Sequence, residues 1–141
     1  MTILDTNVVS EVLKPAPSPE VMDWLSGLPR EAAYITSITQ AELLLGVEFL
    51  PAGRRRSELA YTIGRILEDE FKGHILPFDD RAAGAYAKIV SQRRAQGRPI
   101  GQSDAMIASI SQTWLASLAT RNEADFEGCG VTIINPWFLQ P

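Results

Sequence analysis

Residues 2–11 read TILDTNVVSE, and this stretch decides how the rest of the chain is interpreted. A short apolar run ends at Asp5, and the polar pair Thr6-Asn7 separates it from a second apolar run. The pattern predicts a buried strand that turns into a helix at this carboxylate. A carboxylate held between two apolar runs needs a partner, and the remainder of the sequence must supply it.

Length and composition predict one globular domain covering residues 1–141. The chain has 141 residues, of which 45% are hydrophobic and 21% charged, which is enough for a core and argues against disorder. Cys129 is the only cysteine, so no disulfide can form within the chain, as suits a reducing cytosol.

The termini and the charge balance narrow the expected location and partners. No basic and long apolar leader precedes Asp5, and no run of about 18 apolar residues occurs, so we expect a cytoplasmic protein with no membrane association. The net charge of −4 argues against a protein that coats nucleic acid electrostatically. It is compatible with a cluster of acids that binds a cation.

Short apolar runs alternate with longer helical patterns along the chain. Strands are predicted over residues 1–5, 33–38, 74–78, 117–120 and 131–134. Helices are predicted over residues 7–14, from Pro19 with Ser18 as its cap, and over residues 39–50, 53–72, 80–96 and 103–114. Strands separated by helices indicate an α/β domain on a mainly parallel sheet.

Four acids merit attention, and each has a purely local explanation. Asp5 could cap the helix that follows it. Glu42 could reach back to the amide of Thr39 in a capping box. Asp104 lies in a first helical turn, where the helix dipole favours negative charge, and Asp125 could accept hydrogen bonds in a turn.

The predicted topology brings three of these acids together. In an open parallel sheet, the carboxyl ends of the strands share one edge, where ligands bind. Asp5, Glu42 and Asp125 each follow a predicted strand, so we expect them at this edge. Carboxylates held this close raise one another's pKa, and a hard divalent cation such as Mg²⁺ relieves the repulsion. Spacing alone does not place Asp104 with the other three.

Four segments, taken together, resemble the PIN-domain ribonucleases. They are LDTNVVSE at 4–11, TSITQAELLLGV at 36–47, GQSDAMIAS at 101–109 and LATRNEADF at 118–126. The sequence is similar in particular to the VapC-type toxins of type II toxin–antitoxin pairs and to their FitB-like subgroup. Chains of that subgroup end in a segment like the Asn-Pro-Trp at residues 135–137.

The resemblance implies a PIN-like three-layer α/β/α fold and an endoribonuclease that depends on Mg²⁺ or Mn²⁺. In that family a cluster of acids holds the metal, which activates water for in-line attack on a phosphodiester bond. It also implies an RNA substrate, a cognate antitoxin protein, a homodimer, and promoter DNA bound only through the antitoxin complex.

Carried over residue by residue, the family motif matches Asp5, Glu42 and Asp104 as its first three acids. Thr6 and Asn7 match the polar pair after the first acid, and Asn7 is expected to brace the site.

The fourth acid of the motif is less straightforward. Its usual position holds Asn122 here, with Asp125 three residues later. Either Asp125 substitutes as a catalytic and metal-binding acid, or three acids suffice, with Asn122 supplying an amide oxygen. The alternative function is a PIN-like module that binds nucleic acid or partners with weak or no nuclease activity.

Basic residues and the lone histidine complete the prediction. Arg93, Arg94 and Arg98 precede Asp104 and are candidates for steering RNA, as is Arg121 beside Asn122, although each could equally form a solvated surface. For the arginine run at 54–56 a solvated surface is favoured over RNA or antitoxin docking. Since His74 is the only histidine, catalysis by a histidine pair is excluded. We interpret His74 as a packing residue.

Overall fold

The protein is described here by a computed structural model covering residues 1–139. The strands within that range are β1 (Thr2–Leu4), β2 (Ala33–Thr36), β3 (Ile75–Leu76), β4 (Ser117–Ala119) and β5 (Ile133–Ile134). The α-helices within it are α1 (Thr6–Val12), α2 (Pro19–Gly27), α3 (Ser37–Glu48), α4 (Arg54–Arg65), α5 (Asp80–Ala95) and α6 (Gln102–Thr113). Two 3₁₀ turns (Arg30–Ala32 and Glu123–Phe126) and one π-helical turn (Ile66–Glu70) join them. The assignment of all 141 residues to a single domain stays a prediction, since residues 140–141 lie outside the described part.

The strands form one parallel sheet in the order β3-β2-β1-β4-β5. β1 lies at the centre, with Thr2 in register with Ala33 of β2 on one side and with Ser117 of β4 on the other. The carboxyl ends of all five strands therefore point to one edge. This confirms the parallel α/β sheet that the alternation of patterns predicts.

Helices cover both faces of the sheet. Successive side chains of each strand point to opposite faces, and the apolar side chains on both faces must be buried. Ile3 packs with residues of α5 and α6, such as Ile89 and Ile107, in one buried cluster. Leu4, its neighbour in β1, packs in a second cluster with residues of α1 to α4, such as Val8. The result is the three-layer α/β/α arrangement that the family resemblance implies.

The boundary between β2 and α3 differs from the prediction. The strand ends at Thr36 and the helix begins at Ser37, two residues earlier than expected. The fully buried Thr36 hydroxyl accepts a hydrogen bond from the Thr39 amide at 3.1 Å and is the helix cap. The predicted capping box of Thr39 and Glu42 is therefore wrong, because the amide that Glu42 was expected to hold faces the Thr36 hydroxyl.

Other helix signals are confirmed. As predicted, the hydroxyl of Ser18 accepts from the amide of Val21, with Pro19 at the first position of α2. The predicted helix over residues 80–96 is α5, and the side chain of Asp79 caps it by accepting from the amide of Ala82 at 3.0 Å. The long helix predicted over residues 53–72 is α4 continued by the π-helical turn. Among residues 1–139, no helix has both the length and the apolar character needed to cross a membrane.

Candidate functional site

Asp5 lies at the carboxyl end of the central strand and is held from two directions. Its backbone amide continues the sheet by donating to the carbonyl of Ala119 at 2.9 Å. One carboxylate oxygen accepts from the amide of Thr6 at 2.8 Å, which makes Asp5 the cap of α1. The other accepts from the hydroxyl of Thr120 at 2.7 Å. The local explanation of Asp5 is thus correct, but it accounts for only one of the two oxygens.

Thr120 and Asn7 form a polar layer beneath the Asp5 carboxylate. Thr120 is fully buried, and besides donating to Asp5 it accepts from the backbone amide of Asn122 at 3.1 Å. The side-chain amide of Asn7 lies 3.3 Å from both the Asp5 carboxylate and the Thr120 hydroxyl. Its oxygen accepts from the backbone amide of Arg121 at 3.3 Å. This layer joins β1 to the turn after β4.

Thr6 links Asp5 to the second acid. Its backbone amide donates to Asp5, and its hydroxyl donates to Glu42 at 2.8 Å. The same hydroxyl lies 3.0 Å from the hydroxyl of the buried Thr39. Glu42 is exposed, whereas Asp5 is only 5% exposed, so one threonine connects a buried carboxylate with a solvent-facing one.

Asp104 and Asp125 approach the same place from α6 and from the Glu123–Phe126 turn. Burial, together with the negative charges of Asp5, Asp125 and Glu42, raises the pKa of the half-buried Asp104 to about 6. The positive charge of Arg93 opposes this rise. Because charges interact strongly only at short range in a partly solvated site, the four carboxylates form one group, called here the acid cluster: Asp5, Glu42, Asp104 and Asp125.

The pKa of Asp5 is also raised, again chiefly by burial. The hydrogen bonds from Thr120 and Thr6 lower it, whereas the charges of Glu42 and Asp125 raise it. Asp125 therefore interacts with both of the less exposed acids. The described contacts of Asn122, in contrast, are made by its backbone, with the Thr120 hydroxyl and the Asp125 amide.

The donor chemistry of the acid cluster suits a hard divalent cation. Its ligand atoms are all carboxylate oxygens, which Mg²⁺ and Mn²⁺ prefer. Within residues 1–139, no three acidic, histidine or cysteine side chains are arranged to hold an ion by themselves as they stand. Mg²⁺ does not require such a cage, because it usually keeps several waters and uses one or two carboxylates. The residues present therefore fit a hydrated ion better than a fully protein-ligated one.

The three arginines that precede Asp104 in the sequence have different environments. The prediction that Arg93 steers RNA is wrong, since this side chain is 4% exposed and donates to backbone carbonyls. Arg98 pairs with Glu127 at 2.9 Å. Arg94 is exposed on α5, so RNA contact there stays a prediction.

Arg121 is exposed beside the acid cluster, and its guanidinium lies 5.1 Å from the ring centroid of Trp137.

In the run at 54–56, Arg54 pairs with Glu58 at 2.8 Å and Arg56 with Glu48 at 2.7 Å. The only histidine, His74, stacks on Tyr34 at 4.3 Å between ring centroids and makes a ring-nitrogen contact with the carbonyl of Ala33 at 2.8 Å, as expected of a packing residue.

Sequence reasoning missed the buried hydroxyls that support the acids. From the sequence, Thr120 is predicted only as the last residue of a strand, and Thr39 only as part of a helix cap. A hydroxyl residue that directly follows an apolar strand at the ligand-binding edge is a usable signal, and LAT at residues 118–120 has that form.

Comparison with known proteins agrees with this geometry. The family model described as PIN domain matches residues 2–128. Toxin FitB of Neisseria gonorrhoeae is 39% identical over 137 residues, which cover 97% of this chain and 99% of that protein. VapC ribonuclease Y4jK of Sinorhizobium fredii is 37% identical over 137 residues, covering 97% and 98%.

Solved structures of related proteins have the same fold as this chain. The crystal structure of FitAcB from Neisseria gonorrhoeae contains a chain that superposes with a TM-score of 0.94 at 39% identity, covering 99% of this chain and 100% of that one. The DNA-bound VapBC complex of Salmonella typhimurium contains one with a TM-score of 0.79 at 29% identity, covering 96% and 97%.

Proposed function

This chain belongs to the PIN-domain family, and on that premise we propose that it is a metal-dependent endoribonuclease and the toxin of a type II toxin–antitoxin pair. The observation that carries the proposal is the acid cluster, in which burial and mutual repulsion raise the pKa of Asp5 and Asp104. Acids with raised pKa values at the ligand-binding edge of a parallel sheet are candidates for a functional site, and a divalent cation relieves their mutual repulsion.

In this proposal Asp5, Glu42, Asp104 and Asp125 hold Mg²⁺ or Mn²⁺. A divalent cation supplies Lewis-acid activation of water and neutralises charge that develops on the scissile phosphate. Asp5 is buried and Asp104 half-buried on the sheet side of the site, whereas the exposed Glu42 and Asp125 leave it open to a substrate on the other side.

The remaining polar residues keep the carboxylates in place and bind the substrate. Thr6 fixes the relative position of Asp5 and Glu42, and Asn7 ties Asp5 to the turn that begins at Arg121. Arg121, whose guanidinium lies over the ring of Trp137, would bind an RNA phosphate, and the neighbouring Asn122 would contact the substrate or the cation through its side-chain amide.

The partners proposed for this chain follow those of its relatives. The structure of FitAB bound to a DNA fragment contains a chain 38% identical to this one with a TM-score of 0.95, and the VapBC complex of Salmonella typhimurium is DNA-bound as well. We infer a cognate antitoxin, and promoter DNA contacted through the antitoxin. The homodimer is inferred from the family resemblance alone. The net charge of −4 supports the indirect contact with DNA.

The test compares purified wild-type protein with D5N and D104N, each incubated with a panel of RNAs and Mn²⁺. D23N, which makes the same change at an exposed site on α2, is the matched control. We expect cleavage by wild type and D23N, loss of at least a hundredfold in the two cluster variants, and full inhibition by a chelator. If folded wild-type protein binds RNA and leaves the whole panel intact, the binding-module alternative is correct.

A further inference from the structure

Arg93 is a buried cation with an unusual set of partners. Its Nε donates to the carbonyl of Arg98 at 2.7 Å, and one terminal nitrogen donates to the carbonyls of Asp125 at 2.8 Å and Glu127 at 3.0 Å. The same nitrogen lies 3.5 Å from the sulfur of Cys129. In the described part of the chain, the ion pairs include none with Arg93. Its charge is directed at backbone dipoles instead of a carboxylate.

The location of these carbonyls gives Arg93 a link to the acid cluster. Asp125 is exposed and lies in a four-residue 3₁₀ turn, so its position depends on how the turn is held. The buried Phe126 anchors the turn from the core, and Arg93 fixes the backbone on both sides of that phenylalanine. A planar guanidinium can serve several acceptors at fixed angles, which an ammonium cannot do.

We propose that Arg93 is a positioning residue that holds the Asp125 turn in the geometry the acid cluster needs for cation binding. This role rests on the proposed function and adds to it a residue that touches neither cation nor RNA. It also explains why an arginine is buried beside a cluster of acids without pairing with any of them.

The first experiment measures amide hydrogen exchange in the metal-free protein, so it does not depend on activity. R93Q removes the charge and most donors, R93K keeps the charge with a less suitable shape, and K88Q removes a positive charge from an exposed site on α5. We expect exchange of residues 122–130 to become at least tenfold faster in R93Q, less so in R93K, and to stay unchanged in K88Q. Exchange in β1 and α1 should stay as in wild type.

The second experiment measures Mn²⁺ affinity by electron paramagnetic resonance in a double-mutant cycle with D125N. Supporting residues of metal sites typically contribute 10–100-fold to affinity, so we expect R93Q to weaken binding about tenfold in the wild-type background. In the D125N background the same change should have almost no effect, because the side chain that Arg93 positions is gone.

Several results would overturn this role. They are unchanged exchange at residues 122–130, faster exchange spread evenly over the chain, equal effects of R93Q with and without D125N, or R93Q and R93K that both fail to fold. If wild-type protein neither binds Mn²⁺ nor cleaves RNA, the proposed function fails, whereas the exchange data still decide whether Arg93 anchors the turn.

Discussion

At the scale of single residues, the environment of Asp5 shows how one carboxylate serves both the fold and the site. Capping of α1 uses one oxygen, through the amide of Thr6, and the other oxygen faces Thr120. The capping bond alone could form wherever an aspartate stands between a strand and a helix. The second bond exists because β4 lies beside β1 in the sheet, and that neighbour cannot be identified from residues 2–11 alone.

The first prediction concerns the Thr120 hydroxyl. T120V removes the bond to Asp5 and leaves a buried carboxylate oxygen without that donor, which should cost about 1–3 kcal/mol of unfolding free energy. Mn²⁺ affinity should fall about 10–100-fold, as is usual when a supporting contact of a metal ligand is lost. T120S keeps the hydroxyl and is the control in both urea denaturation and Mn²⁺ titration. Equal behaviour of the two variants would contradict the role assigned to this hydroxyl.

The second prediction uses the pKa of Asp104, which is raised to about 6 from an ordinary value of 3.8. A raised pKa means that folding disfavours the charged form, so this group costs no stability at pH 3, where it is protonated in both states. The cost grows as the pH rises through the ordinary value and is complete above pH 6.

Metal-free D104N should therefore be more stable than metal-free wild type at pH 7.5, by about 1–2 kcal/mol once solvent screening of this half-exposed group is allowed for. The difference should disappear near pH 3.5. Urea denaturation at both pH values in the presence of a chelator measures it. A D104N protein less stable than wild type at pH 7.5 would mean that Asp104 is mainly a structural residue.

At the scale of elements, the boundary between β2 and α3 determines where Glu42 lies. Thr36 ends the strand and caps the helix, so Glu42 falls on the sixth residue of α3 with its carboxylate free to accept from Thr6. The sequence motif T-x-x-E suggested that Glu42 was used locally, but a hydroxyl three residues before Thr39 competes for the same amide. The local pattern alone does not show whether Thr36 or Thr39 caps α3. The tertiary packing that buries Thr36 at the end of β2 determines that Thr36 is the cap.

The third prediction follows from this choice of cap. T36A should cost about 1–2 kcal/mol, because it removes the cap of α3 at a fully buried position. E42A should leave the stability of the metal-free protein unchanged or slightly higher, since it removes a charge from the acid cluster and no helix cap, whereas it would destroy a capping box. Urea denaturation of both variants, with T36S as control, distinguishes the observed cap from a capping box. A loss in E42A as large as in T36A would favour the capping box.

At the scale of the whole molecule, the sequence predicts the layers well and the site only in part. Alternating elements indicate the parallel sheet, and the edge rule brings Asp5, Glu42 and Asp125 together. Asp104 could not be placed by spacing, because it depends on how α6 packs across the sheet. The burial of Arg93 cannot be predicted from the sequence for a similar reason. It depends on the turn at residues 122–130, which lies about thirty residues further along the chain.

The last prediction links the cation to the stability of the entire fold. A ligand that binds only the folded state stabilises it by about 2.7 kcal/mol at a hundredfold excess over its dissociation constant. For a domain of this size we therefore expect saturating Mn²⁺ to raise the melting temperature of wild type by roughly 5–15 °C at pH 7.5. The shift should shrink as the pH falls through 6, because protons then compete with the cation for Asp104.

Differential scanning calorimetry with and without chelator measures this shift in melting temperature, and D5N/D104N is the variant that should show no shift. A wild-type melting temperature indifferent to Mn²⁺ at neutral pH would contradict cation binding, whereas an equal shift in the double variant would place the cation elsewhere on the molecule.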